Sequence, residues 1–590
     1  MVKDIIEKSI YDACGAGEIN LEFPEKEEFG DYTTNIALQL WSKYEVQNPK
    51  HEKVSNFDIR IPSFKTARDL ATAIVKSLKG NKNLLSIVEH IEVAGLGFIN
   101  FWLKKEIIVD ELQRIAKEGE KYGKGDILKG RKLLIEHTSP NTIKTLHVGH
   151  VRNNVTGMSI HNILEFAGAD VALDAINNDR GIHVMKAVWA YMKYGEGKTP
   201  VDVGEKPDHF VDKFYVMGAK EAENPDIKEE MQQLLREWEA GNKEIKVVWR
   251  RLRDWTFEGF EKTYKRLGSY HDQEWFESDF YQYGKKVVQE GLKMGVFKKL
   301  ADGAVLSNLN KYKLPDTIIL RKDGTSMYHT QDLYLTKLKR EKFKADLYIW
   351  DIGPEQELYL KQLFAMCEQL KIGKKSDYFH MRYGSVNLKG GGKMSSRAGN
   401  VVSADHLMDE AVGKARKIIE ESSTGRGLSE KEKESVSEMI GLAAIKYGFL
   451  KLSRDSDLYF DIDESLSMEG NSGPYLQYTV ARTNSVLGKV QSSGLKIKSL
   501  GRVSPNKEEL SLLHFLFRFP EVVGDAAKSY SPNLICNYLF DLAQRYNNFY
   551  NQHRIIGSKD QEFRIKLTAA CGQVLKNGLN LLGIQTPVRM

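Results

Sequence analysis

The sequence predicts a multidomain α/β protein. A parallel-sheet domain with a helical insertion should stand between a small α+β domain and an all-α domain. Three observations carry that expectation. The chain has 590 residues, room for roughly three or four domains. From residue 131 onward short apolar runs alternate with helical stretches, as in a parallel sheet with helices on both faces. Beyond about residue 461 strand signals vanish.

Composition narrows the class. Hydrophobic residues make up 41% and charged residues 28%, ordinary for a globular chain. No apolar run approaches the roughly 20 residues needed to cross a bilayer. The start, Met1-Val2-Lys3-Asp4-Ile5-Ile6-Glu7, is charged early and lacks the apolar core of a signal peptide. Cys14, Cys367, Cys536 and Cys571 lie far apart and form no Cys-x-x-Cys pair. A cytoplasmic protein without a structural metal is therefore expected. The net charge of +6, from 86 basic and 80 acidic residues, permits a nucleic-acid partner without identifying one.

Residues 1–112 read as the α+β domain. A helical pattern covers 66–78, and "IEVAGLGFINFWL" (91–103) reads as strand, glycine turn, strand. A charged helix over 104–121 and the glycines of "YGKGDILKG" mark the passage to the next domain, taken as 113–460. There "KLLIE" (132–136), "DVALDAI" (170–176), "DLYIWDI" (346–352) and "YGSVNL" (383–388) are the strands expected in the parallel sheet. A charged helical insertion interrupts the alternation between about 195 and 270. The last domain, 461–590, includes Tyr538, Leu542, Tyr546 and Phe549 at helical spacing. Such a stripe usually packs into a core, although exposed aromatics beside Asn547 and Asn548 could stack on bases.

Two stretches carry chemistry. In "SPNTIKTLHVGH" (139–150), His147 and His150 fall at the start of a helix that follows a strand. Free backbone N–H groups and the helix dipole favour an anion there, most often phosphate. An isolated pair of this kind more often caps the helix or faces water. The second stretch, "KGGGKMSSRAGN" (389–400), is rich in glycine and basic residues and does not fit the P-loop spacing.

Together, in this order and at this separation, His147-Val148-Gly149-His150 and Lys393-Met394-Ser395-Ser396-Arg397 resemble the HIGH and KMSKS signatures of the class I aminoacyl-tRNA synthetases. "FGDYTTNIAL" (29–38), "GFINF" (97–101), "MYHTQDLYL" (327–335), "GNSGPYLQYTVAR" (470–482) and "VLKNGLNLLGIQTPVRM" (574–590) narrow the resemblance to the arginyl-tRNA synthetases, along essentially the whole chain.

The resemblance implies a Rossmann-type catalytic domain, an N-terminal domain touching the tRNA elbow and a helical anticodon-binding domain. It implies L-arginine, ATP with Mg²⁺, and tRNA(Arg) as substrates and partners, and a monomer. Asn141, Glu277, Tyr328, Asp332 and Gln356 match arginine-binding positions. A carboxylate such as Asp332 suits the planar guanidinium. His147, Gly149, His150, Met394, Ser395 and Ser396 would hold ATP. His147, His150, Lys144 and Lys393 would stabilise charge during adenylate formation, and Phe98, Asn100, Tyr546 and Met590 would contact tRNA. Two departures stand out. Ser396 replaces the usual lysine, a charge that Lys144 would restore, and "NNDRGIHVMK" (177–186) leaves Asp179 without an evident role. The rival readings are a non-catalytic tRNA-binding paralogue, an adenylyltransferase of another kind, or a synthetase for another amino acid.

Overall fold

The structure is a computed structural model that describes residues 2–15, 19–24, 26–47, 64–389, 402–422, 425–494 and 503–590. Contacts group the chain into two compact units. The first comprises Met1–Gly119, Lys498–Arg518 and Gly557–Ala570; the second comprises Glu120–Ile497, Phe519–Ile556 and Cys571–Met590.

The first unit holds α1 (Val2–Cys14), α2 (Ile36–Gln47), α3 (Ala67–Leu78), α4 (Lys82–Ile87) and α5 (Lys105–Glu118). Its strands β1 (Leu21–Glu22), β2 (Tyr32–Thr34), β3 (Val88–Ala94) and β4 (Phe98–Leu103) form an antiparallel sheet in the order β1-β2-β4-β3. The helix expected over 66–78 is α3. Thr66 caps it by accepting from the Asp69 N–H, and Leu70, Ala71, Ile74 and Val75 give it a buried face. Phe98 is exposed, whereas Asn100 is buried and its Oδ1 accepts from the Thr33 hydroxyl at 2.7 Å. Cross-strand pairing thus engages Asn100 and takes it away from the tRNA contact expected of it.

The second unit is built on β5 (Lys132–Glu136), β6 (Asp170–Asn177), β7 (Gln273–Phe276), β11 (Leu347–Asp351) and β12 (Tyr378–Met381). They form one parallel sheet in the order β12-β11-β5-β6-β7. The short strands β8 (Phe297–Lys299), β9 (Val305–Ser307) and β10 (Thr317–Leu320) make a separate antiparallel sheet. Residues 383–388 do not join the parallel sheet. Only Val386–Leu388 is strand (β13), and it pairs with β14 (Leu458–Phe460) in a sheet of its own. The polar β7, "QEWF", carried no apolar run for the sequence reading to find, yet it forms one edge of the sheet.

After β5 the chain turns to β6 on one side and later returns to β11 on the other. The direction of winding therefore reverses between β5 and β11. Ligands bind in the crevice that such a reversal leaves beyond the carboxyl ends of the strands.

The helices α6 (Val148–Phe166) and α7 (Ile182–Tyr194) follow β5 and β6. The insertion supplies α8 (Pro200–Val203), α9 (Pro207–Glu221), α10 (Pro225–Glu239) and α11 (Lys243–Leu267). Next come α12 (Glu277–Phe280), α13 (Gly284–Lys293), α14 (Tyr328–Phe343) and α15 (Glu357–Gln369). The remainder is α16 (Ala404–Glu421), α17 (Glu430–Leu450), α18 (Ile462–Ser465), α19 (Gly473–Ser492), α20 (Lys507–Ser529), α21 (Pro532–Gln552) and α22 (Gln561–Leu581). Beyond Phe460 the described residues contain no strand, as expected. Tyr546 is fully buried among Leu542, Phe549 and their neighbours, so it packs the core of α21 and presents no ring to a base. Met590 packs against the core between α16 and α17.

The insertion has a core of its own with α7, in which Val188, Tyr191, Phe210, Trp238, Trp249 and Leu252 are buried. Gly218 of α9 is where the backbones of α7 and α9 meet, because a Cβ there would lie 2.1 Å from the Lys186 carbonyl oxygen. Gly218→Ala should push the helices apart and cost about 1–3 kcal/mol, the usual price of overpacking. Thermal melts should show a lower Tm; an unchanged Tm would mean that the two helices do not meet here.

Candidate active site

The chain leaves β5 at Glu136, crosses the crevice and enters α6 at His147, the N-cap residue, with φ −123° and ψ 172°. His150, on the first turn, accepts the His147 backbone N–H through Nδ1 at 3.1 Å. Its other nitrogen, Nε2, therefore carries the proton of the neutral ring and can donate. The two imidazoles stack with centroids 3.7 Å apart. A Cβ at position 149 would come within 3.0 Å of the His147 ring, so Gly149 leaves that ring its place. Burial, with Lys144 nearby, pushes His147 down to about 4. Burial and the two neighbours His147 and Lys144 lower His150 further. Both rings are neutral donors at neutral pH and carry no charge before substrate arrives.

Asn153 of α6 closes this end of the crevice. It accepts from the Thr138 N–H and donates to the Asp351 carbonyl, tying the loop after β5 to the end of β11.

A cavity of ≈ 560 Å³ runs from the histidines across the crevice. His147, Gly149, His150, Asn141, Glu277, Tyr328, Asp332 and Gln356 all line it. All eight are residues expected to bind ATP or arginine, drawn from far apart in the sequence, and Asn141 sits where the loop bridges to Asn178. Tyr328 opens α14 and is 77% exposed, while Asp332 lies one turn on. The Tyr359 hydroxyl donates to Asp332 Oδ2. Burial pushes the Asp332 carboxyl up to about 7, against the pull of that hydrogen bond.

Lys339, two turns beyond Asp332 on α14, forms the floor. It is buried and paired with Glu136 at the end of β5 and with Asp174 of β6, the latter at 2.8 Å. Trp275 Nε1 also donates to Asp174 at 2.8 Å. Burial works against the charge on Lys339, but Asp174 and Glu136 outweigh it and hold the ammonium ionised. The same burial raises Asp174 to about 6, with Lys339 opposing.

An adjoining cavity of ≈ 530 Å³ shares Asn141, Asn178, Glu277, Tyr328 and Gln331 and adds Lys144, Arg180 and Arg321. Lys144 Nζ stands 4.5 Å over the Tyr215 ring. Glu277 is already paired with a guanidinium of the chain itself, since Arg180 Nη1 lies 3.3 Å from its Oε1. Arg180 also pairs with Glu239 and stacks over Tyr281 at 4.1 Å. Asp179, whose role was open, is buried and takes the Ser278 N–H at 2.8 Å and the Ser278 hydroxyl at 2.7 Å. It thereby orders the turn that presents Glu277. Lys393, Met394, Ser395 and Ser396 lie outside the described residues, so the second signature has no described place beside the first.

Comparison with known proteins agrees with this geometry. The family model described as tRNA synthetases class I (R), catalytic domain, matches residues 111–462. The arginyl tRNA synthetase N terminal domain matches residues 1–103, and the DALR anticodon binding domain matches 476–590. An arginine–tRNA ligase of Parabacteroides distasonis is 34% identical, across 99% of this chain and 100% of that protein. The chain belongs to the arginyl-tRNA synthetase family. Another arginine–tRNA ligase, of Treponema denticola, is 38% identical across 89% of this chain and 91% of its own. Among solved structures, the arginyl-tRNA synthetase of Thermus thermophilus superposes with a TM-score of 0.83 at 25% identity, covering 100% of both chains.

Arg180, Tyr359, Lys339, Glu136 and Asp174 escaped the sequence reading. Lys339 had a signal, since it lies seven residues after Asp332 on one face of a helix. Removing the ammonium leaves Glu136 and Asp174 facing each other in a buried site. Lys339→Met should cost about 3–5 kcal/mol, read as a lower urea midpoint. A midpoint within error of the parent would mean that the three groups are not coupled.

Proposed function

We propose that the chain joins L-arginine to tRNA(Arg) in two steps, forming an arginyl-adenylate and diphosphate from ATP and then arginyl-tRNA(Arg) and AMP. The observation that carries this reading is that one cavity is lined both by Asp332 and Tyr359 and by His147 and His150. A carboxylate suited to a guanidinium thus shares a space with neutral donors suited to phosphate.

Arginine's guanidinium would displace the proton on Asp332 and take a fork of hydrogen bonds from it. Gln356, Asn141 and Tyr328 stand round the same cavity and would orient the rest of the amino acid. Magnesium-bound ATP would lie with its α-phosphate near His150, whose Nε2–H is free to donate. The arginine carboxylate then attacks the α-phosphorus in line, and diphosphate leaves. The protein's part is positioning and charge stabilisation. Lys144, in the adjoining cavity, would meet the leaving diphosphate, together with Lys393. In the second step a ribose hydroxyl of the tRNA's terminal adenosine attacks the adenylate carbonyl and AMP leaves. Phe98, exposed on β4, would touch the tRNA. No helix among the described residues is long and apolar enough to cross a membrane. We take the working form to be a cytoplasmic monomer, as the family resemblance implies.

ATP–diphosphate exchange with each amino acid in turn, with and without tRNA, tests the reading. Arginine alone should support exchange; exchange with another amino acid, or with none, would refute it. Asp332→Asn should raise the KM for arginine by two to three orders of magnitude, about 3–5 kcal/mol for a buried charge left without its partner. The KM for ATP should barely move.

The raised Asp332 carboxyl sets a pH dependence whose sign follows from linkage. The free site holds a proton below about 7, and guanidinium binding expels it, so affinity strengthens as pH rises to that value. Below it, arginine affinity should fall about tenfold per pH unit, and above it level off. Calorimetric titration across pH 5.5 to 8.5 (roughly the range in which such a group titrates) should show this slope in the parent and none in Asp332→Asn. A parent as flat as the variant would remove Asp332 from the pocket.

A further inference from the structure

The helical insertion carries none of the residues that line the main cavity. It does contribute to a partly buried polar cluster where the start of α9 and the end of α11 meet the start of α16. Lys206 Nζ lies 2.7 Å from Asp405 Oδ2, 2.6 Å from the Thr263 hydroxyl and 3.2 Å from Asp208. His209 Nε2 lies 2.8 Å from the same Asp405 oxygen, and Thr263 donates to the other at 3.1 Å. Asp208 is fully buried, and Gly259 makes room for it, since a Cβ there would come within 2.2 Å of Asp208 Oδ1. The Asp208, His209 and Asp405 ligand atoms lie within 4.8 Å of one another, which could suit a metal. The Lys206 ammonium already sits among them, so the cluster contains its own cation.

Asp405 gathers this attention beside a critical stretch of backbone. Val402–Ala404 runs antiparallel to Leu146–Val148. Val148 N–H donates to the Val402 carbonyl at 3.2 Å, Ala404 N–H donates to the Leu146 carbonyl at 2.8 Å, and His147 bridges Ser403. Asp405 is the next residue but one after the partner of His147. Further along the same seam, Arg266 of α11 holds Asp409 of α16 at 2.6 Å and Glu438 of α17 at 2.7 Å.

We propose that Asp405 is a positioning residue for His147, and that holding it through Lys206, His209 and Thr263 is what the insertion contributes to the reaction. The chain of contacts runs from the insertion to Asp405, from Asp405 to the Val402–Ala404 backbone, and from that backbone to the N-cap residue of α6. Burial opposes the charge on Asp405, yet the His209 and Lys206 hydrogen bonds hold its carboxyl down at about 2. The clamp therefore stays ionised throughout the working range. Precision matters because a misplacement of about 1 Å at a reacting group can cost about 10²-fold in rate. This inference rests on the proposed role of His147.

A double-mutant cycle tests it, with steady-state arginylation and Tm measured for every variant. Asp405→Asn should lower kcat about tenfold with the KM for arginine unchanged. His209→Gln and Thr263→Val, which leave the Lys206–Asp405 pair intact, should lower it less, with Tm near the parent's. In a His147→Asn background the Asp405→Asn substitution should cost nothing more, because residues that act through one another are not additive. Full additivity in the double variant would overturn the proposal, as would an unchanged kcat for Asp405→Asn. If Asp405→Asn does not fold, the same cycle is run with His209→Gln, and additivity there overturns it equally. A His147→Asn variant with parental activity would instead sink the proposed role of that histidine, and this inference with it.

Discussion

Everything at the candidate site is referred to one buried interaction, the ammonium of Lys339 held between Glu136 and Asp174. Glu136 ends β5 and Asp174 lies on the neighbouring β6, while Lys339 belongs to α14. The same helix carries Tyr328 and Asp332. The ion cluster therefore fixes the distance and rotation of α14 relative to β5, from which the loop to His147 departs, and to its neighbour β6. Apolar packing alone could hold α14 against the sheet, but it would tolerate small slides. A buried ammonium with two carboxylate partners does not, because leaving either one unpaired is costly. Such a cluster adds little net stability, and its use here is registration.

The cavity is prepared for charge without holding much of it. Its histidines are neutral because burial and Lys144 make protonation costly. Asp332 is poised near neutrality because burial resists its ionisation. In the proposed reaction the charges would come with the substrates, a guanidinium and a polyphosphate. Each would meet groups already held in the cavity, whose pull strengthens as water leaves. A site holding bare opposite charges would collapse on itself between turnovers. This one has its own ions tied up in internal pairs, Lys339 below and Arg180 to the side.

Much of this was legible in the sequence, for physical reasons that differ by element. The buried strands β5, β6 and β11 show as apolar runs because both faces of a parallel sheet are covered. His147 and His150 were legible through their place between an apolar run and a helical pattern. Tyr328 and Asp332 were legible through the resemblance of "MYHTQDLYL" to the arginyl-tRNA synthetases. The order of strands was not legible, and with it went the Glu136–Lys339–Asp174 cluster, which exists only because β5 and β6 are neighbours. The strand β7 escaped because its residues are polar or aromatic and only half-buried. Asn100 and Tyr546 show the opposite error. Motif resemblance can say that a residue is characteristic of a family, but only packing says whether its side chain reaches the surface.

The departure at "NNDRGIH" gains a physical sense from the same geometry. Glu277, expected to meet the substrate, already gives one oxygen to Arg180, and Gln331 supports it from α14. A guanidinium entering the cavity cannot take Glu277 in a two-pronged grip without displacing Arg180. Displacement is unfavourable, because Arg180 also holds Glu239 and stacks on Tyr281. On the proposed reading, substrate arginine would be left with Asp332 as its principal ionic partner and with the remaining oxygen of Glu277 as a lateral acceptor. Selectivity over lysine would then rest on geometry more than on charge count. The planar fork of a guanidinium can satisfy Asp332 and reach Glu277 at once, whereas a single ammonium satisfies one and leaves the other partly unpaired.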